Sequence, residues 1–242
     1  MSSSELADRT CVVTGASSGI GRAIAIALAS AGAHVCAVAR RRSELEATAE
    51  RADGPGRFSL HVADLVVDDE VAELARALLA REGGVDVLVH SAGAHSLGAV
   101  ENAPVDEFDR LYAANVRAPY VLTQALLPAL RASEGQIVFV NSTAGLNARA
   151  NVSQFAATQH ALRAVADSLR EEINQDGVRV VSVYPGRTAT PRQSKIHSLE
   201  GKAYAPERLM QPEDVASVVV SALTLSRTGE LTDVKVRPML KH

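Results

Sequence analysis

Three glycines, Gly15, Gly19 and Gly21, lie between an apolar run (Cys11 to Val13) and a helical pattern carried by Ile20, Ile24, Leu28 and Ala31. Residues of this type in this place can hold a phosphate. Glycines let the backbone come close to a pyrophosphate, and a helix that starts there offers free N–H groups and the positive end of its dipole. Gly32 then stops the helix and a second apolar run spans Val35 to Val38, which completes a β-α-β unit. A glycine triplet alone is weak evidence, whereas one that follows a strand and opens a helix is much stronger. Arg40, Arg41 and Arg42 follow the second run, where such a unit meets the adenosine ribose, and the first carboxylate after them is Glu44. An acidic residue at that point would bind a 2′-hydroxyl, whereas the planar fork of arginine suits a 2′-phosphate. NADP(H) is therefore expected over NAD(H), with Arg41 and Arg42 also compatible with a solvated helix start.

The rest of the chain alternates strand and helix patterns. Ser43 reads as the N-cap of a helix to about Ala52, stopped by Asp53-Gly54-Pro55-Gly56, and Phe58 to Val62 reads as a third strand. A helix from Asp68 toward Arg81 ends at Gly83-Gly84 and leads to a fourth strand, Val85 to His90. Pro104 opens a long helical stretch to about Arg131, with interruptions near Pro119 and Pro128. Ile137 to Asn141 is the fifth strand, and Ser153 starts a helix with Phe155, Leu162, Val165, Leu169 and Ile173 on its apolar face. Val178 to Tyr184 is the sixth strand, residues 187–211 are polar and irregular, and a helix (Glu213 to Leu225) and a short strand (Thr232 to Arg237) follow. The pattern predicts an α/β fold: a Rossmann-like, doubly wound, seven-stranded parallel sheet with helices on both faces, in a single domain over residues 1–242.

Composition narrows the function classes. The 242 residues are 47% hydrophobic and 22% charged, with a net charge of −3, as in a globular chain without the basic excess of a nucleic-acid binder. Cys11 and Cys36, the two cysteines, fall in adjacent apolar strands and read as core thiols, so neither a disulfide nor a metal site is expected. The opening Met-Ser-Ser-Ser-Glu lacks the basic-then-apolar pattern of a secretory signal, and no apolar run approaches the roughly 20 residues of a membrane span. A cytoplasmic chain without membrane contact is the expectation.

Thr14-Gly15-Ala16-Ser17-Ser18-Gly19-Ile20-Gly21, spaced Gly-x-x-x-Gly-x-Gly, resembles the cofactor loop of the short-chain dehydrogenase/reductase family, and the likeness runs from about Asp8 to Pro238. The resemblance implies cofactor contacts from Gly15, Ser17, Ser18, Gly19, Ile20 and Gly21, from Arg40 and Arg41, and from Asp64 and Leu65, with Asp64 on the adenine amino group. It adds Ser91, Ala92 and Gly93, in a His90-Ser91-Ala92-Gly93 segment that stands where the family usually has Asn-Asn-Ala-Gly. It also adds Pro185, Gly186, Thr188 and Thr190, which would hold the nicotinamide carboxamide and begin a substrate lid over 187–211.

The family's chemistry uses a serine, a tyrosine, a lysine four residues later, and an asparagine. Ser142 matches the serine, which would hold the substrate carbonyl, and Asn115 matches the asparagine. Phe155 stands at the tyrosine position and Gln159 at the lysine position. Phenylalanine has no proton to give, and glutamine can still reach the nicotinamide ribose but carries no charge to lower a phenol's pKa. Such a loss typically costs ~10²–10⁴ in rate. Possible substitutes are Tyr184 at a strand end, His95 in the loop after the fourth strand, and His160, which lies roughly 100° around the helix from Gln159. Each reads better as structural or surface, while His90 reads as a packed or locally hydrogen-bonded residue and Tyr112 and Tyr120 as core or subunit packing.

The expected function is NADP(H) binding with weak or absent carbonyl reduction or alcohol oxidation. Three alternatives stay open: an active reductase with a substitute proton donor, a non-redox enzyme or cofactor-sensing partner that reuses the cleft, and an active enzyme silenced by exchange of these two side chains. The ligand is a small molecule that the pocket segments 94–98, 146–154 and 187–210 do not identify. The resemblance also implies a homodimer or homotetramer packed through the helices of residues 104–131 and of Phe155.

Overall fold

Valine-rich runs, whose backbone polar groups are satisfied sideways by neighbouring strands, become one parallel sheet because both of its faces can be covered by helices. The structure, a computed structural model, describes residues 6–81 and 84–239. The strands are β1 (Thr10–Thr14), β2 (His34–Ala39), β3 (Arg57–Val62), β4 (Val87–His90), β5 (Gln136–Val140), β6 (Arg179–Pro185) and β7 (Asp233–Val236). They run in the order β3-β2-β1-β4-β5-β6-β7 and every pair is parallel. The chain leaves β1 in one direction and resumes at β4 in the other. The switch in strand order therefore falls between them, where open α/β sheets bind ligands.

Side-chain alternation sends neighbouring residues of each strand to opposite layers. Cys11 and Val13 of β1 join Val35, Ala37, Val89 and Val183 under α1 (Gly19–Ser30), α2 (Arg42–Ala49) and, later in the chain, the helix Pro212–Leu223. Val12, Cys36, Leu88 and Phe139 face α3 (Asp68–Leu79), the helix Ala118–Ala132 and the helix Ser153–Ile173. Cys11 and Cys36 are buried free thiols in these two separate layers, and burial raises the pKa of both.

Several boundaries differ from the sequence expectation. The second helix starts at Arg42 and stops at Ala49, and Arg41 rather than Ser43 is its N-cap. The stop expected at Gly83 lies outside the described residues, and α3 ends at Leu79. The long stretch after Pro104 is α4 (Val105–Tyr112), one π-helical turn (Ala113–Arg117) and α5 (Ala118–Ala132). Its break precedes Pro119, which sits in the first turn of α5 where a missing N–H costs nothing, and Pro128 is carried inside the helix. After α6 (Ser153–Ile173), the segment expected to be irregular contains α7 (Pro191–Leu199) and a 3-10 turn (Pro206–Arg208), before α8 (Pro212–Leu223). Thr190 caps α7 by accepting from the Gln193 N–H at 3.1 Å, and Pro191 occupies the first helical position, where it favours a helix rather than breaking one. No helix among the described residues is long and apolar enough to cross a membrane.

Candidate active site

The carboxyl ends of β1, β2, β4, β5 and β6 open into one cleft of about 960 Å³. The hydroxyl of Thr14 fastens the switch point. It accepts from the Ser91 and Ala92 N–H groups (3.0 and 3.2 Å) and donates to the Val89 carbonyl (3.2 Å). The turn that follows admits no side chain at two positions. Gly15 has φ +69° and its Cβ would lie 2.8 Å from the Ala92 nitrogen, while a Cβ at Gly21 would overlap the Gly15 carbonyl oxygen. Ser17, Ser18, Gly19 and Ile20 line the cleft beside them, and Ser18 makes no side-chain cap on α1. The first-turn N–H groups of α1 therefore keep their capacity to donate to an anion, and this tight backbone cradle fits the pyrophosphate of a dinucleotide.

Arg40 and Arg41 line the cleft at the end of β2 with largely exposed side chains. Their nearest carboxylates stand off, Asp64 at 3.8 Å and Glu44 at 3.5 Å. Arg42, by contrast, is a solvated helix residue paired with Glu46. Asp64 and Leu65 line the same end, and Asp64 also accepts from the Val66 N–H at 3.3 Å.

Ser91, Ala92 and Gly93 form the central wall. His90 just before them is buried, stacks on Phe139 with ring centroids 5.0 Å apart, and its Nε2 lies 2.8 Å from the Thr123 hydroxyl. Burial lowers its pKa to about 3, so the ring is neutral packing. Asn115, 2% exposed in the π-helical turn, accepts from the Ala94 N–H (2.7 Å) and donates to the Ala94 carbonyl (3.0 Å) and the Thr158 hydroxyl (3.0 Å). The extra residue of a π turn turns this side chain inward, a distortion that recurs at functional sites. Asn115 thus ties the loop after β4 to α6.

At the end of β5, Asn141 accepts from the Ser142 N–H (2.7 Å) and donates to the Gln159 carbonyl (3.0 Å). Gly145 packs against the same carbonyl, where a Cβ would come within 2.9 Å. These contacts hold α6 against the strand end. Ser142, with its hydroxyl accepting from the Ala144 N–H at 3.1 Å, lines the cleft, and so does Phe155, 8% exposed. Gln159, 5% exposed, instead faces a small chamber of about 40 Å³ behind the cleft, together with Asn115, His90 and the back of Phe155. Pro185, Gly186, Thr188 and Thr190 complete the wall from β6, with Thr188 donating to the Gly186 carbonyl at 3.1 Å.

Among the alternative proton carriers, Tyr184 is buried away from the cleft, and its hydroxyl donates to Asp233 at 2.7 Å. Burial and that bond push its pKa up to about 12. His160 is exposed on the outer side of α6. Tyr112 and Tyr120 are half exposed, outside the core where packing had been one expectation. His95 does line the cleft, with its ring 4.5 Å from that of Phe155. Burial, reinforced by Arg192, lowers its pKa to about 4. At neutral pH the His95 ring is therefore neutral and lacks the extra proton that an imidazolium acid would give.

Arg192, in the first turn of α7, reaches across the cleft and donates to the Gly93 carbonyl at 2.5 Å. It borders both the cleft and the small chamber. Arg149 and Lys195 also line the cleft. All three fall in the expected pocket segments; for Arg192 and Lys195 the signal was two bases just after Thr190-Pro191, and Arg149 carried none.

Residues 9–201 match the family described as short chain dehydrogenase. An uncharacterised oxidoreductase of Staphylococcus epidermidis is 30% identical over 233 residues, covering 96% of this chain and 98% of that protein. A crystal structure of a metagenomic short-chain oxidoreductase in complex with NADP is similar at 35% identity and a TM-score of 0.83, covering 98% of this chain and 100% of the other. L-sorbose reductase from Gluconobacter frateurii, solved with NADPH and L-sorbose, is similar at 25% identity and a TM-score of 0.89, with both chains fully covered.

Proposed function

The chain belongs to the short-chain dehydrogenase family, and on that premise we propose that it binds NADP(H) in the cleft while performing little conventional carbonyl reduction or alcohol oxidation. A bound NADP(H) would supply or accept a hydride. The Gly15–Gly21 turn and the start of α1 would hold its pyrophosphate, and Arg40 and Arg41 its 2′-phosphate. Neighbours solved with NADP and NADPH support the cofactor type.

The observation that carries the second half is the pairing of Ser142 with Phe155 and Gln159. Ser142 can still accept or donate a hydrogen bond at a substrate oxygen. Phe155 has no proton to move, and Gln159 brings a neutral amide where a cation would lower the pKa of an acid. His95 does not repair the gap, because it is neutral across the physiological range. Proximity to the cofactor alone leaves a residual rate about 10²–10⁴ below that of a site with a positioned acid. The same proposal includes a small-molecule ligand, a lid over residues 187–211, a cytoplasmic setting, and a homodimer or homotetramer packed through α4, α5 and α6.

Fluorescence titration with NADPH tests the first half, with micromolar binding expected. Turnover of a carbonyl panel by the parent and by the Phe155→Tyr, Gln159→Lys variant tests the second. The double variant should exceed the parent. A parent that already turns over at about 1–10³ s⁻¹, the ordinary enzyme range, refutes the impaired reading.

A further inference from the structure

We infer that the end of the cleft remote from Arg40 and Arg41 binds a small anionic ligand, one carrying a carboxylate or a phosphate monoester. The inference rests on the cofactor reading above and extends it to the second occupant of the same cleft.

The charged side chains of the cleft are unevenly matched. At the β2 end, Arg40 and Arg41 face Asp64 and Glu44. At the other end five cationic side chains line the wall and only one carboxylate, Glu200, joins them. Two of the five are already neutralised. Arg110 forms a two-point pair with Glu107 (2.8 and 2.5 Å), and Arg187 does the same with Glu200 (2.9 and 2.7 Å). Glu200 is further shared with Lys202 at 3.0 Å. Arg149, Arg192 and Lys195 remain. Among the described residues none of these three has a carboxylate partner, and the bond from Arg192 to the Gly93 carbonyl uses one of its five N–H donors.

Three like charges around one concave space repel each other, and a concave wall focuses their field into the cavity. An anion relieves that repulsion. NADP(H) does not need these groups, because its pyrophosphate is matched by the turn before α1 and its 2′-phosphate by the arginines after β2. Arg192 also sets the position: it borders the small chamber as well as the cleft, so the anionic group it would hold lies at the junction of the two, which Phe155 and Gly93 also line. Gln159 brings no cation to the chamber, and among the residues that line it Arg192 supplies one.

The test is calorimetric titration of the NADP⁺-saturated protein with glutarate, with methyl phosphate, and with dimethyl glutarate as the neutral counterpart. At least one anion should bind, roughly tenfold or more tightly than the neutral ester, and which anion does so identifies the group recognised. Arg192→Met should weaken the anion by roughly tenfold. Arg149→Met and Lys195→Met should each weaken it several-fold and leave NADPH binding unchanged. Equal binding of the ester and the diacid overturns the inference. So does displacement of the anion by NADP⁺, which would assign the three cations to the cofactor, or the absence of anion binding up to roughly 10 mM. If NADP⁺ itself fails to bind, the cofactor reading fails, and the same three-probe comparison on the cofactor-free protein still decides the anion preference.

Discussion

Replacing Arg40 and Arg41 by alanine together should abolish discrimination between NADPH and NADH. The two side chains are 76% and 65% exposed, so the full strength of a buried charge-assisted hydrogen bond does not apply. Exposed ion pairs contribute ~0.2–1 kcal/mol, while hydrogen bonds to charged groups reach ~1.5–3 kcal/mol. A 2′-phosphate carries nearly two charges, which places each arginine at about 1 kcal/mol and the pair at about 2 kcal/mol. That sum converts to roughly 30-fold in NADPH dissociation constant. The exchange also exposes the ligand to Asp64 and Glu44, no longer screened by their arginines, so 30-fold is the lower side. NADH lacks the phosphate and should change by less than about twofold. Parallel fluorescence titrations of parent and double variant with the two cofactors measure this, and added salt should shrink the parent's preference because both guanidinium groups are in water. A parent that binds NADH as tightly as NADPH, or a variant that loses both equally, refutes the assignment of these arginines.

Two further outcomes test the scaffold of the site. His90 has a folded pKa of about 3 against an unfolded value of 6.5, so the unfolded chain takes up the proton first. Its stabilising contribution is complete above pH 6.5 and is lost as pH falls toward 3. Between roughly pH 7.5 and pH 5 the loss is about 2 kcal/mol, with His95 adding in the same sense, and His90→Asn should flatten the slope of denaturation free energy against pH; identical slopes in parent and variant would show that His90 is not the cause. Asn115→Ala removes three hydrogen bonds and leaves the Ala94 groups unpaired, so chemical denaturation should report a loss of about 2–3 kcal/mol and NADPH titration a weaker complex.

Much of the fold was legible from local patterns. Val35 to Val38 and Ile137 to Val140 are apolar without alternation, the pattern of strands buried on both faces, and Val178 to Tyr184 departs from it only at Arg179 and Ser182. The glycine turn was legible because its reason is steric and local, Gly15 and Gly21 being positions where a Cβ has no room. The reading was less reliable where one residue type serves two purposes. Residues 187–211 read as irregular chain, yet Pro191, preceded by the cap of Thr190, begins α7. The interruption expected near Pro119 is there, but only the structure shows that it is a π turn and that it holds the buried Asn115.

The amino-acid order by itself determined which side chains stand where the proposed chemistry would be done: an aromatic ring without a hydroxyl at 155, an amide at 159, and bases after the second strand. Those are matters of composition and spacing that no packing can alter. The tertiary structure alone decided which of the remaining groups meet. Tyr184 turns to Asp233 instead of the cleft, His95 packs on Phe155 where burial lowers its pKa, and Arg192 reaches a carbonyl ninety-nine residues away. Such meetings depend on the order of strands in the sheet and on how much water the surrounding layers exclude, and neither quantity is written in any short stretch of the chain.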